Sequence, residues 1–239
     1  EPGTYSITIR QPLSIVSKES PLEVTRPVVV PTVDILEDLW QFSHLTFSFV
    51  VRFFIGALLL SYGMIQSNLL LIIAGLLFMP FLPLLLAVGF GLWTREWRLA
   101  GQGILALLVA TGLTATGSIV VALMTGPPMR FEPSSSLSAT FLISLAIGVA
   151  ASLATADDVG RREMIGLAAT SQVALIPAWL GISSVFGFSP LAVTSPVESL
   201  ATFFLVIGTV VGAALITYAL LGMRGAAVRH FISRAIRKN

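Results

Sequence analysis

Apolar residues in this chain gather into six long runs: Leu45–Ile65, Leu69–Leu92, Leu99–Met124, Leu137–Ala156, Met164–Phe188 and Ser199–Gly222. Each has about the 20 residues that a helix needs to cross the hydrocarbon core. Strands of a membrane barrel would alternate apolar and polar positions. These runs do not alternate, so they predict six transmembrane helices in a membrane domain over residues 36–223. Short polar connections separate them, such as "TREWR" between the second and third and "DDVGRRE" between the fourth and fifth.

The flanks differ in pattern. Residues 1–35 are polar and contain Pro2, Pro12, Pro21, Pro27 and Pro31. "TYSITIR" alternates Tyr5, Ile7 and Ile9 with polar positions, as a strand does. This stretch reads as an extended arm, or as the tail end of a soluble domain that begins before Glu1. Asp34–Gln41 is a short amphipathic lead-in with Trp40 at interface level. In the tail, residues 224–239, Val228, Phe231, Ile232, Ala235 and Ile236 fall on one helical stripe. Arg229, Arg234, Arg237 and Lys238 occupy the other face. That pattern suits a helix lying on anionic lipid; the alternative is a frayed, solvated tail.

Composition agrees with the pattern. The 239 residues are 55% hydrophobic and 11% charged, where a soluble domain carries about 25% charged residues. No cysteine is present, which excludes disulfides, thiolate metal sites and cysteine nucleophiles. His44 and His230 lie far apart, and no motif for a metal or cofactor occurs. Nothing points to nucleic acid. Twelve of the 14 lysines and arginines fall on one side of a six-span topology, Arg130 falls on the other, and Arg52 lies within a span. By the positive-inside rule both termini face the cytoplasm, with Ser134–Ser136 and Ser189–Ser195 outside.

Prolines single out two spans. The second carries Pro80 and Pro83, then Gly89-Phe90; the fifth carries Pro177, then Gly187-Phe188. An interior proline removes a backbone donor and clashes with the preceding turn. Two interrupted helices at matching places in two halves of three spans predict an inverted three-plus-three repeat. The breaks at spans two and five would then meet at a midplane site. The alternative is two kinked packing helices.

Other residues carry candidate chemistry. Arg52, about eight residues into span one and roughly 12 Å deep at 1.5 Å per residue, either serves a pathway or snorkels to the interface. With span one running outward and span four inward, Arg52 is also expected to pair with Asp157 or Asp158. Gln172, five residues before Pro177, offers a buried amide to a pathway or to a neighbouring helix. Asn68 and Gln66 read as cap and interface residues. Thr111, Thr114 and Ser118 form a polar edge of span three, suited to back-bonding. Gly208 with Gly212, and Gly148 with Ser152, are small-xxx-small pairs for close helix packing, within one chain or between copies.

The stretches "SNLLLIIAGLLFMPFLPLLLAVGFGLWTREWRLAGQG", "FLISLAIGVAASLATADD" and "GLAATSQVALIPAWLGISSVFGF" resemble the family called domain of unknown function 389, uncharacterised hydrophobic-domain proteins of bacteria and archaea. The similarity runs from about Leu36 to Met223. Ala178 stands where members carry a second proline in span five, and Phe81 and Leu82 lie between the prolines of span two. The resemblance implies a multi-pass protein of a bacterial or archaeal cytoplasmic membrane and supplies no activity.

The sequence therefore predicts passage of a small solute or ion through a six-helix bundle, with Pro80, Pro83, Gln172, Pro177 and Arg52 along the path. A non-transporting scaffold or regulatory subunit of a membrane complex is the alternative, and the partners expected beside the bilayer are a homo-oligomer or a larger membrane complex. No Asp, Glu or His lies deep in a span, which argues against an enzyme.

Overall fold

The computed structural model describes residues 32–127, 137–156, 162–187 and 195–223. The strands expected in the arm, the basic tail helix and Ser134–Ser136 lie outside these residues. Eight helices run in order: α1 (Thr32–Ser43), α2 (Phe47–Ile65), α3 (Leu69–Phe78), α4 (Phe81–Thr94), α5 (Trp97–Met124), α6 (Leu137–Ala156), α7 (Arg162–Phe186) and α8 (Pro196–Leu220). Five of them are long and apolar enough to cross a membrane, or six when α3 and α4, bent by 42° at the break between them, are counted as one span. The protein is an all-helical, multi-pass membrane protein among the described residues.

Local chemistry sets the helix ends. Thr46 caps α2 by accepting from the Phe49 amide, and Asn68 caps α3 by accepting from Leu70 and Leu71. Ser195 and Glu198 form a reciprocal capping box at α8, with Pro196 at the first position. The turns after α2 and α4 close by the same device. Ser67 and Arg95 take left-handed backbone (φ 54° and 59°), and the following amides, Asn68 and Glu96, reach back to the carbonyls of Gly63 and Gly91. These tight turns hold spans one, two and three as antiparallel neighbours.

Helix α4 is the centre of the bundle. Almost all of it is buried, and α1, α5, α6, α7 and α8 all pack on it. Outside it, α2 packs on α3 and α5, α7 on α5, and α6 on α8. The amphipathic α1 lays Ile35 and Leu39 against this core. Large apolar side chains such as Leu70, Leu108, Leu142 and Phe204 are exposed on the outer faces, where lipid replaces water as their solvent.

Small residues set the closest approaches. Gly75 on α3 leaves room for the backbone of α2, since a Cβ there would stand 2.5 Å from the Leu60 nitrogen. Gly117 on α5 meets Ala57 on α2, and Gly148 on α6 meets Ala213 and Val210 on α8. Gly181 on α7 abuts Ala115 and Ser118 of α5, and Gly89 on α4 abuts Val211 and Ala214 of α8. Gly148 thus packs as its spacing predicts, and Ser152 beside it is buried with its hydroxyl on the Gly148 carbonyl. Among the described residues Gly208 and Gly212 seat no close approach, because a Cβ at either would meet nothing within 4 Å.

One expectation fails. Helix α7 runs unbroken from Arg162 to Phe186 with Pro177 inside it, so span five is not broken as span two is. A single proline deletes one hydrogen bond, and the packed surroundings of Pro177 and Ala178 hold the helix through the loss.

Candidate functional site

The break in span two is a compact turn. Met79 is extended (φ −110°, ψ 94°), as a residue before proline prefers, and Pro80 sits at φ −78°, ψ 71°. The Phe81 amide donates to the Met79 carbonyl at 2.9 Å across Pro80, which makes an inverse γ-turn. Pro83 falls in the first turn of α4, where its missing donor leaves no gap. Met79 is fully buried. The Thr170 hydroxyl of α7 lies 3.1 Å from its carbonyl and 2.7 Å from the carbonyl of Gly166, so its one proton is shared between the two, and the Thr114 hydroxyl of α5 lies 3.7 Å from its sulfur. Spans two and five therefore touch at the break, though only one of them is broken.

A small cleft of about 90 Å³ opens beside Pro80. Gln41, His44, Thr46, Ser48 and Arg52 supply its polar wall; Phe42, Phe49, Phe53 and Pro80 complete it. Phe53 is buried edge-on to Phe81, with ring centroids 5.1 Å apart, which closes the inner end. Arg52 lies in the second turn of α2, nearer the helix start than the apolar run implies, and is exposed along the cleft. Arg52 and Pro80, far apart in sequence, share this one site.

Gln172 lies elsewhere. Its side-chain oxygen accepts the Ser144 hydroxyl of α6 at 2.7 Å, an interhelical bond between spans four and five. Asp157 and Asp158, the expected partners of Arg52, lie outside the described residues; α6, which precedes them, packs on α8, α7 and α4. Thr111, Thr114 and Ser118 do bond back to the carbonyls of Leu107, Ala110 and Thr114. Ser118 also meets Ser61 of α2 at 2.6 Å.

Sequence reasoning missed the roles of Thr170, Gln41 and Ser48, and the Gly56–Gly75 approach. Thr170 carries a weak signal, a hydroxyl on the span that carries the other proline. Gln41 and Ser48 carry none, because only the fold of α1 against α2 brings them to Arg52. No family model, curated protein or solved structure matches the chain.

Proposed function

We propose that this protein passes a small solute or ion across a cytoplasmic membrane through two inverted three-helix units. The observation that carries the reading is the polar cleft that ends on the helix break at Pro80. Broken backbone at membrane depth persists where protein or a water-filled cavity satisfies it, and such sites line transport paths.

The close approaches support the repeat. Ala57 and Gly148 stand 91 positions apart (148 − 57), and so do Ser61 and Ser152 (152 − 61); both serines bond back to the small residue four before them. Gly89 and Gly181 are 92 apart (181 − 89), each abutting the third helix of the other unit. Their neighbours Ala115 and Ser118 lie 96 before Val211 and Ala214 (211 − 115, 214 − 118). Gly117 likewise precedes Ala213 by 96 (213 − 117). A steady offset within each pair of spans is what a duplicated unit leaves when its sequence has drifted. A unit of three spans must invert on repetition.

In that register the counterpart of Pro80 is Gln172 (80 + 92), not Pro177, and the counterpart of Phe53 is Ser144 (53 + 91). The first half thus has the Arg52–Pro80 cleft where the second has the Ser144–Gln172 pair. Inversion turns these two sites toward opposite faces. The charge asymmetry assigns the Arg52 side to the cytoplasm.

A non-transporting scaffold is the second reading. It draws on the scarcity of free polar groups inside: the buried hydroxyls of Ser61, Thr114, Ser152 and Thr217 all return to their own helix. The absence of cysteine makes the test direct. With Pro80→Cys and Gln172→Cys, an impermeant thiol reagent should reach one position from each face of the membrane. Glu96→Cys and Ser135→Cys report orientation: Ser135→Cys should label in intact cells and Glu96→Cys should not. If neither Pro80→Cys nor Gln172→Cys reacts from any face while Ser135→Cys does, the scaffold reading replaces transport.

A further inference from the structure

We propose that the cleft between the end of α1, the start of α2 and Pro80 binds a small oxyanion of the phosphate class through Arg52, Gln41 and Ser48. The source is either a free solute or the headgroup of an anionic lipid. This inference stands apart from transport, since a scaffold could hold the same anion.

The lining chemistry is one-sided. Arg52 carries a permanent charge and five donors in a planar fork that matches an oxyanion. Gln41 adds an amide and Ser48 a hydroxyl, while the Thr46 oxygen is occupied with the Phe49 amide. None of the nine lining residues is Asp or Glu, and Asp38, one turn earlier on α1, is not among them. The rest of the wall is aromatic or proline. The guanidinium is exposed along that wall, so an anion that meets it displaces no carboxylate from the cleft.

The cleft, about 90 Å³, is well above the roughly 10–15 Å³ that one water needs by the same measure, so a small tetrahedral oxyanion fits. Position admits both sources. On α2, Arg52 shares an exposed stripe with Ser48, Ile55 and Tyr62, and the last two carry apolar surface outward to the acyl chains. The exposed Phe42, at the end of α1, lines the cleft itself. The cleft therefore lies at the border between bundle and bilayer, within reach of a headgroup.

The test uses the full chain in a zwitterionic detergent micelle and in nanodiscs. Inorganic phosphate should raise the thermal midpoint of the micelle sample saturably above a chloride control of equal ionic strength. If the source is a headgroup, phosphatidylglycerol nanodiscs should give the stabilisation over phosphatidylcholine ones while free phosphate gives none. In either arm Arg52→Gln should weaken apparent affinity by about tenfold or more, the loss of a charge-assisted contact. Arg52→Lys, which keeps the charge but not the fork, should fall between, and Ser48→Ala guards against a misfolded arginine variant. The proposal is overturned if neither ligand stabilises the wild type, or if Arg52→Gln responds as the wild type does. Strong coupling between Arg52→Gln and Asp157→Asn or Asp158→Asn in a double-mutant cycle would also overturn it, by giving the guanidinium an internal partner. None of these outcomes alters the accessibility of Pro80→Cys and Gln172→Cys.

Discussion

Span two and span five each carry proline near the middle, yet one is broken and the other is not. In span two, Pro80 and Pro83 together would clash with the carbonyls of Leu76 and Met79 in a continuous helix. Bending by 42° relieves both clashes at once. The turn that results satisfies itself through Phe81, and the Thr170 hydroxyl, shared with the Gly166 carbonyl, adds a second contact to Met79 from α7. In span five, Pro177 stands alone and buried among packed neighbours, and α7 passes through it. Proline spacing and the presence of an outside donor, rather than proline itself, separate a break from a tolerated defect. Under the proposed repeat, Gln172 would be the counterpart of Pro80, a hydrogen-bonding side chain where the first unit has a bend.

The comparison can be broken most forcefully at the glycine that seats the bent span. Gly75→Leu drives a side chain into the α2 backbone and should destabilise the protein by about 3 kcal/mol, the upper range for overpacking, seen as a lowered melting midpoint or loss of monodisperse protein in detergent. Gly208→Leu, with open space around it, should leave that midpoint unchanged. Second in size is Thr170→Val, which removes the outside donor at the break. Leaving the Met79 carbonyl one bond poorer should cost about 1–3 kcal/mol by denaturant or thermal titration, whereas Ser171→Ala next to it should cost little.

Pro177→Ala should act in the opposite direction. It restores a backbone bond in α7 and should stabilise by about 1 kcal/mol, less than the ~3 kcal/mol of an interior proline in water because packing already offsets part of the defect. Pro80→Ala should shift the midpoint less, because the break already satisfies its own backbone through the Phe81–Met79 hydrogen bond and leaves no missing bond to restore. Equal gains from both substitutions would erase the distinction between the two spans. The smallest effect belongs to Gln172→Leu, which unties Ser144 and should cost about 0.6 kcal/mol, typical of interhelical hydrogen bonds in membranes. A loss several times larger would mean that the pair is a principal tie between α6 and α7.

Much of the framework is legible in the chain. The six apolar runs lie within a few residues of the observed spans, and the α6 range, Leu137–Ala156, is the same in both. Asn68 caps its helix as its position before an apolar run implies. The bend at Pro80 follows from two prolines three residues apart. The unbroken α7 does not follow from Pro177, because the outcome depends on neighbours that sequence does not name. Gly148 and Gly208 look alike as small-xxx-small members. One packs against Ala213 and the other faces outward, since helix rotation is settled by the partners across the interface.

Sequence by itself determined that the chain crosses a membrane as helices, where those helices start and stop, and that span two bends. Those features depend on transfer of apolar residues from water and on backbone hydrogen bonding within a single segment, both local in the chain. Tertiary structure alone decided that Thr170 completes the break, that Gln41 and Ser48 join Arg52 at Pro80, and that Gln172 bonds Ser144. In lipid, apolar faces are equally at home on every side, so burial does not dictate which face turns inward. Close fit between small residues and the pairing of polar atoms dictate it instead, and both belong to pairs of helices rather than to any one of them.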